Sequence, residues 1–230
     1  MYNVIRRIVH SSARERFHSQ RAQLFITLMK PRDGISILDV GGGWGDFLAR
    51  VRDAGVEAKY VVADIGKQYS LVVQKLGFEF VQLEEGKPLP FNNRHFEIVI
   101  SNSVIEHVTM PKESVMSKIP QQEWARKSLQ SQIQFANEIR RIGKAYFVQT
   151  PHKSFPIEAH TWLPFVNYLS HNHTVSLVRF TDKWWAKYCG YADWNLLGHT
   201  EMNDLFPEAR IHIERFLGLP KSVIAYYLGS

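Results

Sequence analysis

Four glycines stand within five residues at Gly41-Gly42-Gly43-Trp44-Gly45, after the apolar run Ile37-Leu38-Asp39-Val40 and before Asp46-Phe47-Leu48. A strand, a tight turn and the first turn of a helix fit that pattern, and the missing Cβ atoms let a ligand approach the main chain. A dinucleotide pyrophosphate calls for a glycine three positions after Gly43, where Asp46 stands instead. No Gly-Lys-Ser or Gly-Lys-Thr follows to make a phosphate-binding loop. Asp64 lies about twenty residues past the turn, in Val61-Val62-Ala63-Asp64-Ile65, where an acid can accept hydrogen bonds from both hydroxyls of a ribose. Asp39 adds negative charge beside a turn that receives no phosphate, which suits a cationic nucleoside.

The elements that must hold these residues follow a strand and helix rhythm. Ile35 to Val40 reads as a buried strand, followed by a helix to Ala54, a second strand from Tyr60 to Ile65 and a helix to Leu76. Phe78 to Leu83, Phe96 to Ser101 and Ala145 to Gln149 give a third, fourth and fifth strand. The last two are separated by a helical stretch in which Leu129, Ile133 and Ala136, and beside them Phe135, Ile139 and Ile142, recur at helical spacing. Such alternation predicts an α/β fold with a doubly wound, mainly parallel sheet. Near the C-terminus, Ala209 to Phe216 and Ser222 to Leu228 are joined by five residues, too few for a crossover helix, so they form an antiparallel hairpin.

The chain has 230 residues, of which 45% are hydrophobic and 22% charged, as expected of one globular domain rather than a disordered chain. Apolar runs of only a few residues predict no transmembrane span, and no apolar segment follows Arg6 and Arg7 as an export signal would require. A single cysteine, Cys189, excludes an intrachain disulfide and points to a cytoplasmic setting. Of the net charge of +6, residues 1–30 carry +5, with Arg6, Arg7, Arg14, Arg16, Arg21 and Lys30 against Glu15. These residues read as a basic extension of one or two amphipathic helices, ahead of a single domain over residues 31–230. Charge confined to one segment argues against a nucleic-acid partner and leaves that helix for an active-site cover or a peripheral membrane contact.

Asp39-Val40-Gly41-Gly42-Gly43-Trp44-Gly45, Asp64, Leu89-Pro90-Phe91, Phe96-Glu97-Ile98-Val99 and Ser101-Asn102-Ser103-Val104-Ile105-Glu106-His107-Val108 together resemble the class I S-adenosylmethionine-dependent methyltransferases, and more narrowly their small-molecule branch. The resemblance runs from about Ile35 to the C-terminus and implies a Rossmann-like sheet of seven strands. It implies S-adenosyl-L-methionine as cofactor, with Gly41 and Gly43 along its methionine moiety and Asp64, with Ile65 beside it, at the ribose. Glu85, or Glu84 in its place, would lie near the adenine, and Asn102 and Ser103 would face the sulfonium end through their backbone. His107 counts in this pattern as a packing residue. The chain departs from the family in residues 109–133, an insertion whose first part, 109–120, reads as either a lid or a surface excursion.

Methyl transfer from a sulfonium is an in-line displacement that requires alignment and exclusion of water, with no metal. Charge falls along the reaction, so an aromatic pocket suits it. Trp162, Phe165, Tyr168, Trp184, Trp185, Tyr188, Tyr191 and Trp194 follow the fifth strand, and more than half of them are expected in the core. A hydroxyl acceptor needs a base. In Thr150-Pro151-His152-Lys153-Ser154-Phe155-Pro156-Ile157-Glu158-Ala159-His160-Thr161-Trp162 the candidate is His160, oriented by Glu158 or His152, although His160 could equally cap a helix. The same three residues could ligate a metal by type alone, but the chemistry does not call for one. The reading is thus methylation of an oxygen on a small molecule or sugar. A nitrogen or carbon acceptor and a non-catalytic, cofactor-binding partner subunit stand as alternatives. Asn or Asp with Pro-Pro-Tyr or Pro-Pro-Phe is absent after the fourth strand, which argues against amino-methylation of nucleic acid.

Overall fold

The computed structural model describes residues 2–181 and 191–229, with side chains described from residue 16 onward except at 112 and 113. Cys189, Trp184, Trp185 and Tyr188 lie outside the described residues, as do the side chains of Arg6, Arg7 and Arg14.

Seven strands form one sheet in the order β3-β2-β1-β4-β5-β7-β6. The strands are β1 (Ile35–Val40), β2 (Ala58–Asp64), β3 (Glu79–Gln82), β4 (Phe96–Asn102), β5 (Gly143–Pro151), β6 (Arg210–Phe216) and β7 (Leu219–Tyr227). β1 runs parallel to β2, β2 to β3 and β1 to β4. β6 and β7 pair antiparallel, with a register shift between Glu214 and Arg215. The helices are α1 (Tyr2–Met29), α2 (Asp46–Asp53), α3 (Ser70–Lys75), α4 (Lys112–Val115), α5 (Gln121–Ile142), α6 (His171–Thr181) and α7 (His199–Leu205). The chain divides into two compact units, one of residues 1–100, 143–147 and 228–230, the other of 101–142 and 148–227.

In the first unit, Leu38 and Val40 of β1, Val61, Val62 and Ala63 of β2, and Ile98, Val99 and Ile100 of β4 are buried without a break. Such runs mark strands covered on both faces. Helix α1 is built into this unit rather than appended to it. Ala22, Phe25 and Met29 recur at helical spacing and are buried, and Phe25 meets Phe47 of α2 and Phe147 of β5 edge-on, with ring centroids 5.9 and 5.4 Å apart. Glu97 of β4 accepts hydrogen bonds from Lys144 of β5 at 2.7 Å and from the Ser36 hydroxyl of β1. The Lys144 bond first, then Ser36, pulls its carboxyl down to about 2.

In the second unit, α5 buries the expected Ala136, Ile139 and Ile142 but departs from the expected stripe one turn earlier. Leu129 and Ile133 are exposed, while the polar Ser128 and Gln132 are buried beside Trp124, Ala136, Ile139 and Ile142. For Gln132 the reason is hydrogen bonding: its Nε2 donates to the carbonyls of Ile105 at 3.0 Å and Asn195 at 2.9 Å, and Asn195 Nδ2 donates back to its Oε1 at 2.9 Å. Burying the amide satisfies two main-chain acceptors that an apolar residue would leave orphaned. Residues 109–120 pack here through Val115 and Ile119 against Trp124, and the Ile119 N–H donates to Asn172 of α6 at 3.0 Å.

Candidate active site

The glycine turn adopts backbone that L side chains rarely reach. Gly41, Gly43 and Gly45 have φ of 74°, 52° and 80°. Gly42 is required for a different reason: a Cβ there would fall 2.8 Å from Cγ of Asp39. Asp64, 8% exposed at the end of β2, accepts the N–H of Gly43 at 3.0 Å on one oxygen and the N–H of Gly66 at 2.8 Å on the other. It ties the turn to the second strand. A carboxylate offers about four acceptor positions, so two remain for hydroxyls. Asp39 is buried, and its Oδ1 has no hydrogen-bond partner. Burial, and then the Asp64 charge, push its carboxyl up to about 8. Burial and the Asp64 charge thus both work against the negative charge expected from Asp39.

Ile65 is exposed just after Asp64. Glu85 is also exposed, and its neighbour Glu84 is engaged with Lys87 at 2.5 Å. In the other unit, Asn102 ends β4 with both side-chain amide atoms buried and unpartnered. Ser103 has a φ of 54°; its N–H donates to the Gln149 carbonyl at 2.9 Å and its hydroxyl to Gln149 Oε1 at 3.1 Å.

After β5 the chain makes a tight loop. Ile157 bridges Pro164, Glu158 and Trp162 are linked through the Trp162 N–H at 2.9 Å, and Trp162 and Phe165 take left-handed φ of 59° and 64°. Glu158, with 0% exposure, fills the loop from inside. Its carboxylate accepts the N–H of His160 at 2.9 Å and of Thr161 at 2.5 Å, and Oε1 lies 2.6 Å from His160 Nδ1. Burial opposes ionisation of Glu158, but the bond to His160, its charge and the two amides outweigh burial and hold the carboxyl below its usual range.

His152 makes its ring hydrogen bonds elsewhere, with the hydroxyl of Ser154 at 2.8 Å and its N–H at 3.2 Å. Burial, then the charge of Lys153, lower its pKa. Of the two orienting residues expected for His160, the structure supplies Glu158.

His107 does more than pack. Its Nδ1 lies 2.9 Å from Asp193 Oδ1, its ring meets that of His160 edge-on at 4.6 Å, and His160 stacks on Trp194 at 5.0 Å. Burial works against a charged His107, but the Asp193 hydrogen bond and the charges of Glu106, Asp193 and Glu158 raise its pKa overall. Asp193 was missed because 86 residues separate it from His107. Trp194 is the buried aromatic of the expected set, whereas Trp162, Phe165, Tyr168 and Tyr191 are exposed among the described residues. Trp194 also lines a cavity of about 160 Å³ with Trp124, Lys153, Asn167 and His171.

A family model described as a methyltransferase domain matches residues 12–194. The chain belongs to the methyltransferase-domain family. The match begins inside α1, whose second half is built into the first unit. An uncharacterised methyltransferase of Mycobacterium avium is 40% identical over 80 residues, covering 34% of this chain and 31% of the relative. The chain thus matches less than a third of the length of that relative. Among solved structures, the methyltransferase in complex with the Trm112 methyltransferase activator of Haloferax volcanii aligns with a TM-score of 0.58 at 13% identity, over 96% of this chain and 93% of that one. The magnesium protoporphyrin IX methyltransferase of Synechocystis, solved with SAH bound, aligns with a TM-score of 0.53 at 12% identity, over 93% and 84%. The fold is the Rossmann-like one shared with these solved methyltransferases. In the first unit, a turn without Cβ atoms lies beside a carboxylate with acceptor capacity left over, a place where a ligand can meet the main chain.

Proposed function

We propose that this methyltransferase moves the methyl group of S-adenosylmethionine to an oxygen of a small molecule or sugar. Glu158 fixes His160, and His160 takes the hydroxyl proton. The observation that carries this reading is the 2.6 Å pair between His160 Nδ1 and a fully buried Glu158 carboxylate. That pairing places the ring proton on Nδ1 and leaves the Nε2 lone pair as the basic one. Gly41, Gly43, Asp39, Asp64, Ile65 and Glu85 form the cofactor side of the proposal, joined by Asn102 and Ser103. During transfer the acceptor O–H breaks, an oxygen–methyl bond forms, and the electrons of the sulfur–methyl bond return to sulfur. The acceptor is read as a compact molecule met in the cytoplasm, not a polymer.

Calorimetry with S-adenosylmethionine, followed by transfer of a labelled methyl group to hydroxylated, amino and carbon acceptors, tests the reading. Cofactor binding with O-methylation that falls about 10²–10⁴-fold in His160→Ala supports it. Methylation of nitrogen or carbon that is indifferent to His160, or binding with no transfer to any acceptor, overturns it.

A further inference from the structure

Three ligand-bearing side chains converge in the second unit with nothing yet assigned to them as a group. One donor atom from each of Glu106, His107 and His160 lies within 4.8 Å of the others. Glu106 is 0% exposed, and neither of its carboxylate oxygens has a hydrogen-bond partner. An unpaired buried carboxylate is costly to keep unless something positive completes it. Among the described residues, no lysine or arginine forms an ion pair with Glu106, Glu158 or Asp193.

The two histidines are prepared in the same way. His107 Nδ1 is spent on Asp193 at 2.9 Å and His160 Nδ1 on Glu158 at 2.6 Å. A carboxylate on one ring nitrogen fixes the tautomer and turns the other nitrogen into a better ligand, which is how metal-binding imidazoles are usually held. The main chain around the trio is pinned as well: the Glu106 carbonyl accepts the N–H of Asn195 at 2.7 Å, and Gln132 binds the carbonyls of Ile105 and Asn195. His107 and His160 keep 33% and 18% of their side chains exposed, which leaves an approach on the histidine side.

We propose that Glu106, His107 and His160 hold one divalent cation of the borderline class, with Asp193 and Glu158 as the carboxylates behind the histidines. One carboxylate oxygen and two imidazole nitrogens suit zinc or cobalt, and three protein ligands leave a position for an oxygen of the acceptor. The proposal rests on the reading of this site as the place where the acceptor meets the methyl group, and it changes one role there. With the cation seated, the His160 lone pair is given to the metal. The acceptor hydroxyl bound to the metal is then acidified by it and loses its proton to water before attacking the methyl carbon.

The test uses the full chain after chelator treatment, titrated with cobalt(II) alone and followed by its visible absorption, with zinc calorimetry in parallel. The expected result is one cation per chain, with affinity reduced at least tenfold in Glu106→Gln and in His160→Ala and unchanged in His152→Ala. Circular dichroism establishes that each variant is folded. If Glu106→Gln does not fold, His160→Ala, in the loop after β5, decides alone. Absence of one-to-one binding, or binding that both folded variants retain, overturns the site. Calorimetry with S-adenosylmethionine on the same samples separates the two readings. Cofactor binding without cation binding removes the metal site alone, and cation binding without cofactor binding removes the methyl-transfer reading.

Discussion

Oε1 of Glu158 meets His160 twice, accepting its backbone N–H at 2.9 Å and lying 2.6 Å from its ring Nδ1. One carboxylate thereby sets both the path of the loop and the tautomer of the imidazole. Glu158→Gln keeps an oxygen for the amides but loses the charge behind the ring. The expected outcome is a fall in kcat of about tenfold or more with cofactor affinity unchanged. Glu158→Ala should in addition lower the Tm, because the N–H groups of His160 and Thr161 lose their acceptor. Steady-state kinetics beside thermal melts distinguish the two effects.

Asp64 holds Gly43 and Gly66 while it is offered as the ribose acceptor. Its replacement by Ala should therefore weaken S-adenosylmethionine binding by about 10–100-fold, the range for losing hydrogen bonds to a charged group. Calorimetric titration gives the number. An affinity within threefold of the parent chain would remove Asp64 from the cofactor site.

Asp39 predicts a dependence of stability on pH. Its carboxyl is raised to about 8 by burial and then by the Asp64 charge, against an unfolded value of 3.8. The folded chain keeps a proton that the unfolded chain releases, so this contribution is complete below about pH 4 and is lost as pH rises through about 8. Stability therefore falls with rising pH across that window. Asp39→Asn should flatten the profile, as read from urea midpoints between pH 5 and 8.

Phe25 ties α1 to α2 and β5 through two edge-on ring contacts and is fully buried. Phe25→Ala should cost about 3–5 kcal/mol of stability, and removal of residues 1–30 should cost more, since it also takes Ala22 and Met29. Denaturant unfolding measures both. A chain shortened by 30 residues that unfolds at the parent midpoint would show α1 to be dispensable.

The sheet was legible where local pattern dictates it. The run Ile35–Val40 is a strand end to end, and the five-residue connection near the C-terminus does return antiparallel, with β6 and β7 closing further along it than their apolar runs indicate. The turn and Asp64 were legible because glycine and a strand-end acid act within about twenty residues of each other. Residues 1–30 were read as an extension because charge, not packing, dominates their composition, and only the structure shows Phe25 in the core. Leu129 and Ile133 misled for the opposite reason: hydrophobic periodicity cannot foresee that two carbonyls elsewhere need a buried glutamine. The pairing of His107 with Asp193 had no local signature at all, since each residue alone is an ordinary surface type.

The 2.8 Å approach of a Cβ at position 42 to the Asp39 carboxyl couples two sites that sit three apart in the chain. A lineage could enlarge residue 42 only after residue 39 had shrunk, so substitutions at these positions should arrive as a pair and in that order. The acid at the end of the first strand and the glycine beyond it are, in effect, one inherited character.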